Sequence, residues 1–349
     1  MIKRFHALYV GQIELDNIGL DGTPANDRRY SNARLSEVFE TSRQVAQVMD
    51  ELGYYCLWAA EHHFQREGYE CIPNLIQWGL WLATQTRRLK IGSAFNVLPM
   101  WHPIRLAEDY AMADLVTDGR VILGVGRGYH TREVETFGGP LLDTAANREI
   151  FEEGLQLLLK CFNEEAFHHK GKYFECPPAV PYRGYDLKEI TMVPRPKHLP
   201  VEIWMPIASG RTIDMMAQYG LKAMVTLNGE KILDDVVRAF HDACHRHNRP
   251  VQLGQDMIWA PASTSPTPRR RRSAASSLRM TNASSGSPRS ALSATPTNKA
   301  GPGGRPGRRR RFRPCARASN RRHGSAARPV RSSTASRRSR RAIRGSKTS

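Results

Sequence analysis

Between residues 5 and 260, short runs of aliphatic, aromatic and β-branched residues alternate with longer stretches whose apolar positions recur at three- and four-residue steps. Residues 5–10 predict a first strand. After a polar loop, Leu35, Val38, Phe39, Val45, Ala46, Met49 and Leu52 repeat at helical spacing up to Gly53, a residue suited to ending a helix. Further strands are predicted at 55–60, 90–98, 121–126, 201–206, 222–227 and within 251–260. Helices are predicted at 73–86, 103–116, 148–162, from 211, and at 232–246. Pro103 opens its helix where the missing N–H costs nothing. Residues 163–199, rich in Pro, Tyr and His, are too long for an ordinary connection and predict an excursion over one end of the fold.

Seven strands alternating with helices predict a parallel sheet. The expected fold class is α/β: a TIM-type (β/α)8 barrel that stops after its seventh strand, in preference to an open doubly wound sheet. Beyond Pro261 the apolar periodicity vanishes. The expected organisation is therefore a barrel over 1–261 and a disordered Arg/Ser/Pro/Ala-rich tail over 262–349, which could not bury enough apolar surface to offset chain entropy.

Charge divides at the same place. The tail holds 24 of the 52 basic residues and no acid, whereas 1–261 carries all 33 acids and a net charge of −5. Such a tail would bind polyanions non-specifically and with steep salt dependence. With Phe312 as its single aromatic it predicts no specific nucleic-acid partner. The six cysteines show no CxxC spacing, so free thiols and no metal site are expected. No run approaches a membrane span, and no basic-then-apolar leader opens the chain. The expectation is a soluble, cytoplasmic protein without a membrane partner.

In a (β/α)8 barrel the working residues follow the C-terminal ends of the strands. Four such ends are unusual here: Glu61-His62-His63-Phe64, Ala94-Phe95-Asn96, Gly124-Val125-Gly126-Arg127-Gly128, and Ala208-Ser209-Gly210-Arg211-Thr212. Each also has an ordinary reading, the last as a plain helix N-cap. Taken together they converge on one face. A helix N-terminus bearing Ser209 and Thr212, with Arg127 and Arg148, would suit the phosphate of a cofactor. The glycines would let backbone approach a flat ring, and His62 would act as general acid or base over it.

These runs, with Leu98-Pro99, His102-Pro103, Ala107-Glu108-Asp109, Asp118-Gly119-Arg120 and Phe137-Gly138, closely resemble the bacterial luciferase-like flavin monooxygenases over residues 5–260. The resemblance implies reduced FMN, reaction with dioxygen through a peroxyflavin, and oxidation of a small organic substrate. It places His62 and its neighbour His63 at the flavin–oxygen chemistry, and Ala94, Phe95 and Asn96 at a strand end with an unusual cis peptide beneath the flavin. Arg127, Arg148, Ser209 and Thr212 fall around the FMN phosphate, and Gly126 where luciferase has a reactive cysteine, a departure that argues against light emission. A separate flavin reductase and a homodimer are the implied partners. The alternatives are a deazaflavin-dependent oxidoreductase of the same superfamily, or a non-catalytic subunit. The family continues past the seventh strand, often with a stretch such as Val-Tyr-Val-Ala-Asp-Thr-Glu-Ala, and one GC-rich encoding of that stretch, read from its second base, gives Ser-Thr-Ser-Pro-Thr-Pro-Arg-Arg, the sequence at 263–270. The expectation is that residues from about Ala262 are a frameshift product.

Overall fold

A computed structural model of the chain describes residues 4–14, 28–207, 209–226 and 230–260. The tail, its boundary at 261/262 and its frameshift reading lie outside the described residues, as does Ala208. In chain order the first half runs β1 (His6–Tyr9), α1 (Asn32–Glu51), β2 (Cys56–Ala59), α2 (Leu75–Gln85), β3 (Lys90–Ser93), β4 (Asn96–Val97), α3 (Pro103–Thr117), β5 (Val121–Gly126), α4 (Thr131–Thr136) and α5 (Thr144–Asn163). The second half is β6 (His169–Lys170), β7 (Glu175–Cys176), β8 (Pro181–Tyr182), β9 (Tyr185–Asp186), β10 (Ile203–Pro206), α6 (Gly210–Gln218), β11 (Lys222–Thr226), α7 (Glu230–Arg246) and β12 (Met257–Ala260).

The sheet order is β1-β2-β3-β5-β10-β11-β12, every pair parallel, with β4 added to β5. Among the described strands no pairing joins β12 to β1. The described residues thus form the expected α/β arrangement of seven parallel strands, a curved sheet in which β12 and β1 are not joined. About eight strands give a barrel whose interior side chains just fill.

Side chains alternate across the sheet as the two-residue period requires. Cys56, Trp58, Ile122, Trp204 and Met224 form the concave cluster, with Leu8, Phe95 and Ile258 packed against it. Leu57, Ile91, Leu123, Ile203, Met205 and Ala223 face the helices instead. The concave layer depends on one glycine: a Cβ at Gly92 would lie 2.2 Å from the Trp58 ring. Trp58 meets Trp204 edge-on at 5.5 Å and donates its indole N–H to His6 Nδ1 at 3.1 Å. Trp204 is therefore a buried wall residue.

The excursion comprises two small hairpins, β6–β7 and β8–β9. Buried and half-buried carboxylates pin it down. Glu153 of α5 accepts the backbone N–H groups of Lys172, Tyr173 and Phe174 at 2.8–3.1 Å. Asp114 of α3, fully buried, accepts those of Lys197 and His198. The strand read as 90–98 is interrupted at Ala94-Phe95, whose peptide is cis. Helix α5 starts four residues before the predicted 148, because the Asp143 carboxylate caps it through the N–H groups of Ala145 and Ala146. The five described cysteines are free thiols, and among the described residues no helix is long and apolar enough to cross a membrane.

Candidate functional site

Because the strands are parallel, the chain leaves β2, β3, β5 and β10 along one edge of the sheet, and the four unusual sequences lie there. After β2 the chain turns back on itself, with the His62 N–H bonded to the Ile72 carbonyl at 3.2 Å. This places His62 in the interior, 4% exposed. Its Nδ1 lies 3.2 and 3.3 Å from the Glu133 carboxylate of α4. Burial pushes the Glu133 carboxyl up, but hydrogen bonds from His62, the His63 backbone N–H and Gln65 hold it, on balance, below its ordinary value. An ionised Glu133 accepts a hydrogen bond from Nδ1–H, and in the neutral ring that arrangement leaves the lone pair on Nε2. That Nε2 lies 3.2 Å from Tyr129 Oη and 3.3 Å from Glu70 Oε1. Gln65 Nε2 bridges Glu70 and Glu133 at 3.0 and 3.1 Å.

His63 points elsewhere. Its Nε2 meets Glu61 at 3.0 Å, and its ring packs edge-on against Phe137 with centroids 4.7 Å apart. Glu61 is itself buried and also accepts the Val97 N–H at 2.7 Å and the Trp101 indole N–H at 2.9 Å. One carboxylate therefore ties the β2 exit to the β4 segment, and through it His63 becomes a wall residue beside the exposed Phe64–Phe137 stack.

Ala94 and Phe95 reach the concave cluster, Ala94 buried and Phe95 partly so. Asn96 is fully buried, its Nδ2 bonded to the Gly124 carbonyl at 3.0 Å and its Oδ1 without a partner. The room left by the glycines of β5 is taken by this segment. A Cβ on Gly124 would fall 1.9 Å from the Ser93 carbonyl oxygen, and one on Gly126 would fall 3.3 Å from Phe95 Cβ.

Arg127 leaves β5 half-buried beside Arg148 of α5. Burial first, and then the Arg148 charge, lowers the Arg127 pKa. Glu152 acts on Arg127 in the opposite sense, so the two guanidinium groups share this corner with a carboxylate. Two neighbouring guanidinium groups are the kind of donor set that suits an anion. The N-terminus of α6 is tied to α5 nearby, through Arg211 and Glu152 at 2.8 Å. Ser209 caps that helix by accepting the Thr212 N–H, and the two hydroxyls lie 3.0 Å apart on the surface. A phosphate group fits this donor set. Among the described residues no hydrogen bond joins the arginine pair to the His62 cluster.

Sequence reading singled out His62 but missed the residues that define its state: Gln65, Glu70, Tyr129, His130 and Glu133. Glu61 stood in the quoted run without a role. Tyr129-His130 directly follow Gly128 and could have been noticed. Glu133 offered no local signal, because its contact with His62 spans 71 residues.

Residues 21–342 match the family model described as luciferase-like monooxygenase, a span that runs through most of the tail. An uncharacterized protein of Sinorhizobium fredii is 32% identical over 202 residues, 58% of this chain and 53% of the relative. The oxygenase component of a flavin-dependent trigonelline monooxygenase from Acinetobacter baylyi is 24% identical over 213 residues, 60% of this chain and 55% of the relative. The oxygenating constituent of 3,6-diketocamphane monooxygenase of Pseudomonas putida, solved in complex with FMN, shares the fold with a TM-score of 0.54 at 20% identity, covering 66% of this chain and 62% of its own. The chain spans about half the length of the curated relatives it matches.

Proposed function

The chain belongs to the luciferase-like monooxygenase family, an FMN-dependent superfamily, and from that premise we propose that it is the oxygenase of a two-component system, using reduced FMN and dioxygen to oxidise a small organic substrate. The observation that carries this reading is the buried His62–Glu133 couple, which lies at the sheet edge where β5 ends and Arg127 follows. When bound, reduced FMN supplies the two electrons that let dioxygen deliver one oxygen atom to the substrate and the other to water. A separate flavin reductase provides it, and a second copy of the chain is the expected assembly partner.

The roles of the chain's own residues follow. Arg127, Arg148 and the start of α6, with Ser209 and Thr212, hold the phosphate by charge-assisted hydrogen bonds. Ala94, Phe95 and Asn96, backed by Gly126, offer the apolar surface beside which the flavin ring lies. Glu133 holds the His62 ring with Nε2 turned toward Tyr129 and Glu70, so that this atom accepts or returns a proton during oxygen transfer. His63, locked to Glu61, shapes the wall. Phe64 and Phe137, stacked with centroids 5.5 Å apart and exposed, suit an apolar organic substrate and help keep water away.

The test separates phosphate from ring. Titrating the full chain with reduced FMN and with reduced riboflavin, anaerobically, should show FMN binding at least about tenfold tighter. Arg148→Ala should weaken FMN to the level of riboflavin and leave riboflavin unchanged. If FMN and riboflavin bind alike and Arg148→Ala changes neither, the anion site and the cofactor assignment both fall.

A further inference from the structure

His62 Nε2, the Glu70 carboxylate and His130 Nε2 face one another, their ligating atoms all within 4.8 Å. The nearer separations are 3.3 Å from His62 Nε2 to Glu70 Oε1 and 3.6 Å from His130 Nε2 to Glu70 Oε2. These are electron-pair donors. With Nδ1 of His62 donating to Glu133, its Nε2 carries a lone pair turned toward a carboxylate oxygen. His130 Nε2 is buried and has no hydrogen-bond partner. A proton or a cation belongs between His130 and Glu70, and although the Tyr129 hydroxyl also reaches His62 Nε2 at 3.2 Å, the spacing of the three groups is that of metal ligands. Donors about 2.0–2.1 Å from a tetrahedral ion lie about 3.3–3.4 Å apart.

The surroundings match as well. A metal-bound imidazole usually donates its other N–H to a carboxylate, which fixes the ring and raises its basicity. His62 does so to Glu133, 2% exposed and also held by Gln65. Gln65 Nε2 likewise steadies Glu70 at 3.0 Å. Two imidazoles and one carboxylate leave a coordination position open, and Tyr129 Oη sits 3.2 Å from His62 Nε2 at that side. The ring planes of His62 and His130 are crossed at 80° with centroids 5.0 Å apart, so the two do not stack against each other.

We propose that His62, Glu70 and His130 form a binding site for one divalent transition-metal ion of the zinc type, with Glu133 and Gln65 as its supporting shell. The sequence carried no metal-ligand spacing because the ligands come from two separate loops. The site stands whether or not the chain binds flavin. Where it does, an ion there takes the Nε2 atom that would otherwise handle a proton, so metal and oxygenase activity exclude one another.

The experiment uses the full chain, stripped with a chelator and titrated with Zn2+ against a chromophoric competitor. One tight equivalent is expected. Glu70→Gln and His130→Ala should each weaken it at least about tenfold. His241→Ala, which breaks the surface His241–His245 pair, should leave it unchanged and so controls for adventitious binding. Co2+ in place of Zn2+ should give the visible absorption of a four-coordinate site in the wild type and lose it in Glu70→Gln, an isosteric change that decides the matter if His130→Ala does not fold. Failure to bind Zn2+ at free concentrations up to about 100 μM, or binding that Glu70→Gln leaves intact, overturns the assignment.

Discussion

Replacing Gly124 by alanine should damage the site edge more than its size suggests. The added Cβ would lie 1.9 Å from the Ser93 carbonyl oxygen and 3.0 Å from Phe95 Cδ1. Contacts under 3.0 Å are essentially never seen for a real Cβ, so backbone must part from backbone by at least 1.1 Å. No side-chain rotation relieves this. Ser93 cannot move alone, because it pairs with Ala59 in the β2–β3 ladder and the next N–H, that of Ala94, bonds to the Ala59 carbonyl at 2.6 Å. Overpacking of this kind costs about 1–3 kcal/mol. The Asn96 Nδ2 bond to the Gly124 carbonyl is also strained, and an unsatisfied buried amide costs about 1–3 kcal/mol. The stiffer unfolded chain returns about 0.4–1 kcal/mol. A net loss of about 3 kcal/mol lowers the urea midpoint by about 1 M if the m-value is near 3 kcal/mol/M. Gly126→Ala is the internal comparison: its Cβ would stand 3.3 Å from a side-chain carbon, and its cost should stay below about 1 kcal/mol. Urea unfolding of both variants, followed by tryptophan fluorescence, measures the difference. A Gly124→Ala midpoint equal to wild type, or a larger loss in Gly126→Ala, would refute the claim that β5 is glycine-rich to admit the Ser93–Phe95 segment.

Four further outcomes are expected. Glu61→Gln replaces an acceptor of three N–H groups with an amide that can satisfy fewer, and should lower stability by about 2 kcal/mol in the same assay; an unchanged midpoint would contradict the pinning role. Glu133→Gln should leave FMN affinity within about threefold while reducing the oxygenation rate at least tenfold, because it acts on the His62 tautomer; an unaltered rate removes His62 from proton transfer. Burial, and then Arg4, holds the His6 pKa down to about 4 against 6.5 ordinarily. The unfolded chain thus binds a proton that the fold refuses, and stability falls as pH drops from 6.5 toward 4; His6→Gln, which still accepts from Trp58, should flatten that part of a melting-temperature profile. Finally, if the sequence from Ala262 arises from a shifted frame, resequencing should find a one-base discrepancy near codon 262; an intact frame there ends that reading.

The pattern of apolar positions was enough to place seven strands and their helices in order, since periods of 2 and 3.6 are local properties of the chain. It also carried the family, because Glu61-His62-His63-Phe64 and the other strand-end runs are contiguous. Local spacing could not show the break at Ala94-Phe95, where the Ser93 carbonyl comes close beside Gly124 of the neighbouring strand. Nor could it show α4, a six-residue helix too short for a periodic signal. The chemistry of His62 lay furthest from view. In the sequence His62 is one of two adjacent histidines, and only tertiary packing sets Glu133 against one of its ring nitrogens and Glu70, Tyr129 and His130 around the other. Sequence determines which groups a chain possesses. Their protonation, pairing and capacity to hold an ion depend on distances of about 3 Å between residues up to 71 positions apart, which only the folded sheet edge decides.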